Sequence, residues 1–208
     1  MPRASTTGSA LLSLIALRPG WSTYELTGQV TRALRFFLPR AQSRVYSQAK
    51  ALARSGLVRA DDESNGQRPR TVYSITDDGR VELARWLEGP VAPTRLESEA
   101  LLRVLVGRLA TTQQLVEAVA QVRADAEGII EQGRAVAGEY LAGRAPFQDD
   151  VAFRALVFDF LFHHAIMLKA WAERAEATIG SWGGSVDEQA TDGALERIRA
   201  LVAALPTG

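Results

Sequence analysis

Between Leu26 and Ala60 the chain carries Arg32, Arg35, Arg40, Arg44, Lys50, Arg54 and Arg59 and no Asp or Glu; acids resume at Asp61. In a protein whose 24 Lys+Arg and 24 Asp+Glu cancel, such a stretch concentrates positive potential. The chemistry that potential serves is neutralisation of a phosphate backbone. A solvated basic face would carry the same charge, but here the charges ride on two helical apolar patterns separated by a break, the layout of a helix-turn-helix. In the second pattern Val45, Ala49 and Leu52 fall at i, i+4 and i+7 and face inward, which leaves Arg44, Ser47, Gln48, Ala51 and Arg54 outward. A polar face with so little bulk can enter a major groove roughly 12 Å wide, where Arg reads guanine and Gln reads adenine through paired hydrogen bonds. Arg44, Ser47 and Gln48 are expected at base edges, with Tyr46 and Lys50 at the groove margin. Arg40, Gln42 and Ser43, at the start of the helix, complete the expected contacts on this segment.

The elements that must position this face can be read on either side of it. Ala10, Leu11, Leu14 and Ile15 mark a first helix that stops before Pro19-Gly20 and reads as core. Ser22-Thr23-Tyr24-Glu25 is a capping box opening a second helix, with Leu26, Val30, Ala33, Leu34 and Phe37 on one side. Pro39 ends that pattern, and Gly56 closes the recognition helix as a left-handed cap. A strand at Leu57 to Ala60, a polar loop, and a second strand from Thr71 to Ile75 make a β-hairpin wing. Arg68 and Arg70 stand near the wing tip, where they could straddle a phosphate or probe a narrow minor groove. Thr76 caps a fourth helix whose first turn holds Asp77 and Asp78, and Leu83, Trp86 and Leu87 give it an expected buried side. Three helices, a hairpin and a helix spell a winged helix-turn-helix over residues 1–89.

At this point the sequence resembles the PadR family of bacterial transcriptional regulators. The resemblance rests on Tyr24-Glu25-Leu26, on Val45-Tyr46 followed by Leu52 and Gly56-Leu57-Val58, and on Arg70, Tyr73, Ile75-Thr76, Gly79, Leu83 and Trp86-Leu87. Ser47 stands where the family usually has Pro, Ala49 where Leu is common, and Phe36-Phe37 where an aromatic Trp precedes the helix. The resemblance implies a homodimer that binds an inverted repeat in double-stranded DNA, usually as a repressor, and that often lets go on binding a small aromatic or cationic effector. It also implies that Tyr46 lies close to DNA; packing of its ring beside Val45 is the competing expectation.

Residues 1–89 carry a net charge of +5 and residues 90–208 a net charge of −5, which argues for two modules with different partners. The break falls at Gly89-Pro90-Val91-Ala92-Pro93. Beyond it Thr94-Arg95-Leu96-Glu97 reads as a capping box for a helix with Leu101, Leu102, Leu105 and Leu109. A longer helix from Thr111 or Thr112 spaces Leu115, Val119, Val122, Ala126, Ile129, Gly133, Val136 and Tyr140 alternately four and three apart, a coiled-coil seam. Gly133 weakens such a seam unless a second helix comes close against it. The next helix has two apolar seams, one through Val151, Ala155, Phe158, Phe162 and Ala165, the other through Phe153, Val157, Phe160, His164, Met167 and Trp171. A helix apolar on two sides is buried on two sides; one side meets its own chain and the other a second copy. Val119, Val122, Phe158, Phe162 and Trp171 are the expected dimerisation residues. A tail helix with Leu195, Ile198, Val202 and Leu205 is expected to dock on this arm. The whole is mainly α, a winged helix-turn-helix with a two-stranded wing followed by a coiled-coil-like helical dimerisation domain over residues 90–208.

Other chemistries find little support. The chain has no cysteine, which excludes disulfides and thiolate metal sites and fits a reducing cytoplasm. No leader-like start and no apolar run of ~20 residues is read, so no membrane partner is expected. His163-His164 beside Asp159 is too sparse for a metal site, and the Phe, His and Trp cluster of Phe153 to Trp171 could line an effector pocket but reads first as packing. No nucleotide-binding glycine motif, nucleophile elbow or zinc spacing is present, so neither a catalytic residue nor a cofactor is assigned. The alternative to a DNA-binding regulator is a winged-helix module whose basic stretch meets an acidic protein.

Overall fold

The computed structural model describes residues 5–63, 70–182 and 188–205, and divides into two compact units, Met1–Thr94 and Arg95–Gly208.

The first unit orders as α1 (Thr6–Leu17), β1 (Trp21–Ser22), α2 (Thr23–Ala33), a 3-10 turn at Pro39–Arg44, α3 (Val45–Arg54), β2 (Val58–Glu63), β3 (Arg70–Ile75) and α4 (Asp77–Glu88). Leu11, Leu12, Leu14 and Ile15 of α1 are buried against Leu26 and Val30 of α2, Val45, Ala49 and Leu52 of α3, and Val58, Val72 and Tyr73 of the sheet. The helix α1 is therefore the hub of the core, as its apolar spacing predicts. The wing is the expected antiparallel hairpin, Val58 pairing with Ile75 and Glu63 with Arg70. A third strand joins it: β1 pairs with β3 through Trp21 with Tyr73 and Ser22 with Val72, giving the order β1-β3-β2. Two residues, the second of them the cap of α2, are too short for a period-two pattern to reveal.

The capping box forms as read. Ser22 Oγ accepts from Glu25 N at 3.2 Å while Glu25 Oε2 accepts from Ser22 N at 2.8 Å and from Ser22 Oγ at 2.6 Å. Arg18 Nη2 donates to Glu25 Oε1 at 2.7 Å, with its guanidinium 3.8 Å above the Trp21 ring. Partial burial pushes the Glu25 carboxyl up, but the hydrogen bonds from Ser22 and the Arg18 charge outweigh it and hold the pKa at about 2, below the ordinary 4.5. A depressed pKa contributes stability that is complete above pH 4.5 and is lost as pH falls toward 2. With this side chain more than a third exposed, solvent screening reduces the contribution to about 1 kcal/mol. Glu25→Gln keeps the box but not the charge. Denaturant melts should therefore show it less stable than the wild type at pH 7 and level with it near pH 2; an equal gap at both pH values would sink this assignment.

Two apolar positions in this unit sit elsewhere than expected. The helix α2 ends at Ala33, so Phe37 lies past it in a turn where Leu38 N donates to Leu34 O at 2.7 Å, and its side chain is exposed. In α4, Gly79 and Glu82 are buried and Leu83 half-buried, whereas Trp86 and Leu87 are exposed. Only the first two turns of α4 are covered, which a periodic pattern running through all three turns could not foretell.

In the second unit α5 (Glu99–Leu105) starts later than expected. Ser98, not Thr94, is its cap, accepting from Leu101 N at 3.3 Å; two cap residues compete within five positions and the later one forms. The helix α6 (Thr112–Leu141) opens with a box of Thr111 and Gln114 and runs against α7 (Val151–Gly180). Their core is Leu115, Val119, Ala172 and Ile179, flanked by Val122, Trp171 and Trp182. Trp182, stranded among glycines in the sequence, is thus part of the packing. At Gly133 an added Cβ would meet Phe162 at 3.4 Å and Phe158 at 3.5 Å, so α7 comes close where the seam lacks a side chain. That spacing is van der Waals contact rather than collision. Gly133→Ala should then raise stability by up to about 1 kcal/mol through helix propensity, while Gly133→Leu should overpack both rings; thermal melts of the two variants moving the same way would contradict the geometry.

Across the α6–α7 pair Arg123 Nε donates to Glu176 Oε1 at 2.9 Å, and Lys169 pairs with Glu173 and, at 3.5 Å, with Glu127. These contacts raise the Arg123 and Lys169 pKa values and lower that of Glu173. On the outer face of α7, Phe153, Leu156, Val157, Phe160 and Met167 are exposed, Phe153 at 74%. The helix region Gln148–Gly180 also contains an 18-residue window long and apolar enough, by length and composition only, to cross a bilayer. No uninterrupted apolar run of that length exists, because Asp159, His163, His164 and Lys169 interrupt it. The last helix, α8 (Glu188–Ala203), hydrogen-bonds to α7 through Arg197 Nη1 and Thr178 Oγ1 at 3.1 Å. Its Leu195, Ile198, Leu201 and Val202 are exposed, so the expected burial of an apolar face on the arm does not occur within the chain.

Candidate nucleic-acid interface

Pro39 at the first position of the 3-10 turn supplies no N–H where none is needed, and its fixed φ starts the turn. Ala41, buried, donates to Leu38 O at 2.9 Å and pins the turn to the core. At Val45 the helix becomes regular, and burial of Val45, Ala49 and Leu52 fixes its rotation. Its end is locked as firmly. Gly56, at φ +74°, lets Gly56 N donate to Ala53 O at 3.1 Å and Leu57 N to Leu52 O at 3.0 Å, the two bonds of a Schellman cap. Thr76 Oγ1 then donates to Gly56 O at 2.7 Å and accepts from Gly79 N at 3.1 Å. One threonine hydroxyl thereby ties the end of α3 to the start of α4.

With α3 rotated this way, Arg44, Tyr46, Ser47, Lys50 and Arg54 are exposed and Gln48 half-buried. Ser43 is exposed at the end of the 3-10 turn. The Arg40 and Gln42 backbones lie in that turn, their side chains outside the described residues. Lys50 Nζ stands 4.4 Å over the centre of the Tyr46 ring, which is 58% exposed. The expectation that Tyr46 packs beside Val45 does not hold; the ring lies along the surface under an ammonium group. Ser47 Oγ donates back to Arg44 O at 3.1 Å, and Ser5 Oγ donates to Gln48 Oε1 at 3.5 Å.

The wing differs in charge from the recognition helix. Arg59 Nε donates to Asp61 Oδ2 at 2.6 Å and Arg70 Nη2 to Glu63 Oε2 at 2.9 Å. Both pairs are exposed, so each costs little to exchange for phosphate, but Arg70 starts from a carboxylate partner, Glu63, opposite it on the paired strand. Arg68 lies outside the described residues. The five residues expected at a dimer contact, Val119, Val122, Phe158, Phe162 and Trp171, are brought together in the seam between α6 and α7 of one chain. No group of three or more His, Asp or Glu able to hold a metal occurs among the described residues. His163 Nδ1 lies 3.0 Å from Asp159 O within its own helix.

Residues 11–85 match the model of the Transcriptional regulator PadR-like family. Over 75 residues the chain is 36% identical to the probable transcriptional regulator Rv1176c of Mycobacterium tuberculosis, a stretch that is 36% of this chain and 40% of that protein. Among solved structures it is similar to smu.1604c of Streptococcus mutans, with a TM-score of 0.70 and 18% identity over 82% of this chain and 98% of that one. It is similar also to Bacillus subtilis PadR in complex with operator DNA, with a TM-score of 0.68 and 19% identity over 84% and 99% of the two chains. The same protein in complex with p-coumaric acid superposes at a TM-score of 0.61 with 19% identity over 85% and 99%. The solved structures share the fold, and the sequence match to the family model lies within residues 11–85.

Proposed function

We propose that the protein is a homodimeric transcriptional regulator that binds an inverted-repeat operator through α3 and represses the gene it controls in the cytoplasm. The observation that carries this reading is the exposed, acid-free face of α3, held by a buried Val45, Ala49 and Leu52 and bounded by a hairpin wing. Arg44, Ser47 and Gln48 meet base edges, Tyr46 and Lys50 the groove margin, and Arg40, Gln42, Ser43, Arg68 and Arg70 the backbone. The uncovered apolar face of α7 supports a second copy there, and a two-fold dimer presents two recognition helices to adjacent major grooves roughly 34 to 36 Å apart. A small aromatic effector taken up by the helical unit releases the DNA, a reading supported by the fold shared with a protein seen with p-coumaric acid.

Protection mapping on the DNA flanking the protein's own gene tests this. A protected inverted repeat is expected, with affinity falling on a log–log plot against salt by roughly 0.9 in slope per phosphate neutralised. Arg44→Ala should cost about 1–3 kcal/mol on the operator and relax one base position, whereas Arg70→Ala should weaken all duplexes alike. Equal losses for Arg44→Ala on operator and scrambled DNA would remove its base-reading role.

A further inference from the structure

Two apolar seams of the helical unit are left uncovered by the chain itself. On α7, Phe153, Val157, Phe160 and Met167 are exposed. With the half-buried His164, whose ring stacks on Phe160 at 6.2 Å, they fall alternately four and three residues apart. On α8 and just past its end, Leu195, Ile198, Val202 and Leu205 are exposed and fall three, four and three apart. Helices whose apolar residues repeat at this spacing pack knobs into holes against one another. Thr191 to Ala203 are exposed throughout, and a helix of 16 residues is marginal alone in water, so the seam of α8 needs a cover. Its own α7 does not supply one. Arg197 Nη1 donates to Thr178 Oγ1 at 3.1 Å, and Thr178 Oγ1 donates in turn to Arg174 O at 2.8 Å, which sets the middle of α8 level with the end of α7. At a rise of about 1.5 Å per residue α8 extends about 14 Å to either side of Arg197, whereas Phe153 to Phe160 lie about 27 to 37 Å back along α7.

From these two seams, and resting on the dimeric reading above, we infer that α8 crosses to a second copy of this chain and packs its seam on the partner's α7. A two-fold axis crossing α7 near the exposed Ile166 runs the two copies antiparallel and sets Thr178 of one chain level with the partner's Arg154. The α8 held at Thr178 then lies beside the partner's Phe153, the partner's Val157 and the partner's Phe160. The side chains so covered, with Phe burying about 150–250 Å² each, double by symmetry to a surface on the order of the 1,600 Å² of a standard stable interface. Each chain closes the other's apolar seam, and the tail acts as a clasp of the dimer.

The chain has no cysteine, so introduced cysteines report this contact without background. Full-length Ile198→Cys and Val157→Cys proteins, co-expressed and treated with a short bifunctional maleimide, should give a covalent dimer on a denaturing gel. Either variant alone should give little, because the two-fold keeps like positions apart. A chain carrying both substitutions should cross-link between chains. Independently, Ile198→Glu combined with Val202→Glu, two exposed positions, should raise the dimer dissociation constant about tenfold or more in analytical ultracentrifugation. Cross-linking confined to single chains of the doubly substituted protein, or no cross-link between chains of a protein that sediments as a dimer, overturns the inference while leaving the dimeric regulator reading intact. An unchanged dissociation constant in the glutamate variant does the same. A wild type that sediments only as a monomer overturns both.

Discussion

Gly79→Ala is expected to be among the most damaging single-methyl changes in the N-terminal unit. A Cβ at this position would lie 2.1 Å from the Leu57 carbonyl oxygen and 2.8 Å from Ile75 Cγ1. The oxygen belongs to the backbone, so no side-chain rotation relieves the clash. It also accepts from Thr76 N at 3.2 Å, which means that moving it disturbs the junction where the end of α3, the start of the wing and the start of α4 meet. The cost should be about 3 kcal/mol, the upper end for overpacking, or a fall in melting temperature on the order of 15 °C for a unit of this size. Because the same junction fixes the end of the recognition helix, operator affinity should fall even where the unit stays folded. A variant melting within a degree or two of the wild type would show that α4 can retreat from the wing at little cost.

The second large effect concerns the arm. Introducing two carboxylates on the outer face of α7, with Leu156→Glu and Phe160→Glu, is expected to turn the full-length protein into a monomer in analytical ultracentrifugation. Operator affinity should fall about 10²-fold, because the second half-site is then bound from solution rather than at the high effective concentration that a partner imposes. Both side chains are exposed, at 72% and 61%, so the core of α6 and α7 is untouched and the melting profile of an isolated chain should change little. A double variant that remains a dimer with unchanged affinity would mean that the two copies meet elsewhere. In contrast, Phe162→Glu strikes the ring that fills the gap at Gly133 and should unfold the arm rather than merely separate it.

The sequence by itself determined the N-terminal architecture, because there each residue's local chemistry and its tertiary role coincide. The Ser22 and Glu25 box, the break at Pro39, the inward row of Val45, Ala49 and Leu52, the left-handed Gly56 and the Thr76 cap all act over a few residues. The coiled-coil spacing of α6 was legible for the same reason, since a periodic pattern needs only to know that some helix lies opposite. What the pattern could not say is which helix. The two apolar seams of α7 are alike in composition, and only the packed structure assigns Phe158 and Phe162 to α6 and leaves Phe153, Leu156 and Phe160 uncovered. Likewise the loss of cover over the last turn of α4, the pairing of β1 with β3, the Glu63 partner of Arg70 and the contact of Ser5 with Gln48 depend on residues brought together from distant parts of the chain. Helix signals are carried by neighbours three and four apart, whereas these contacts are decided by where whole elements come to rest, and no local spacing encodes that.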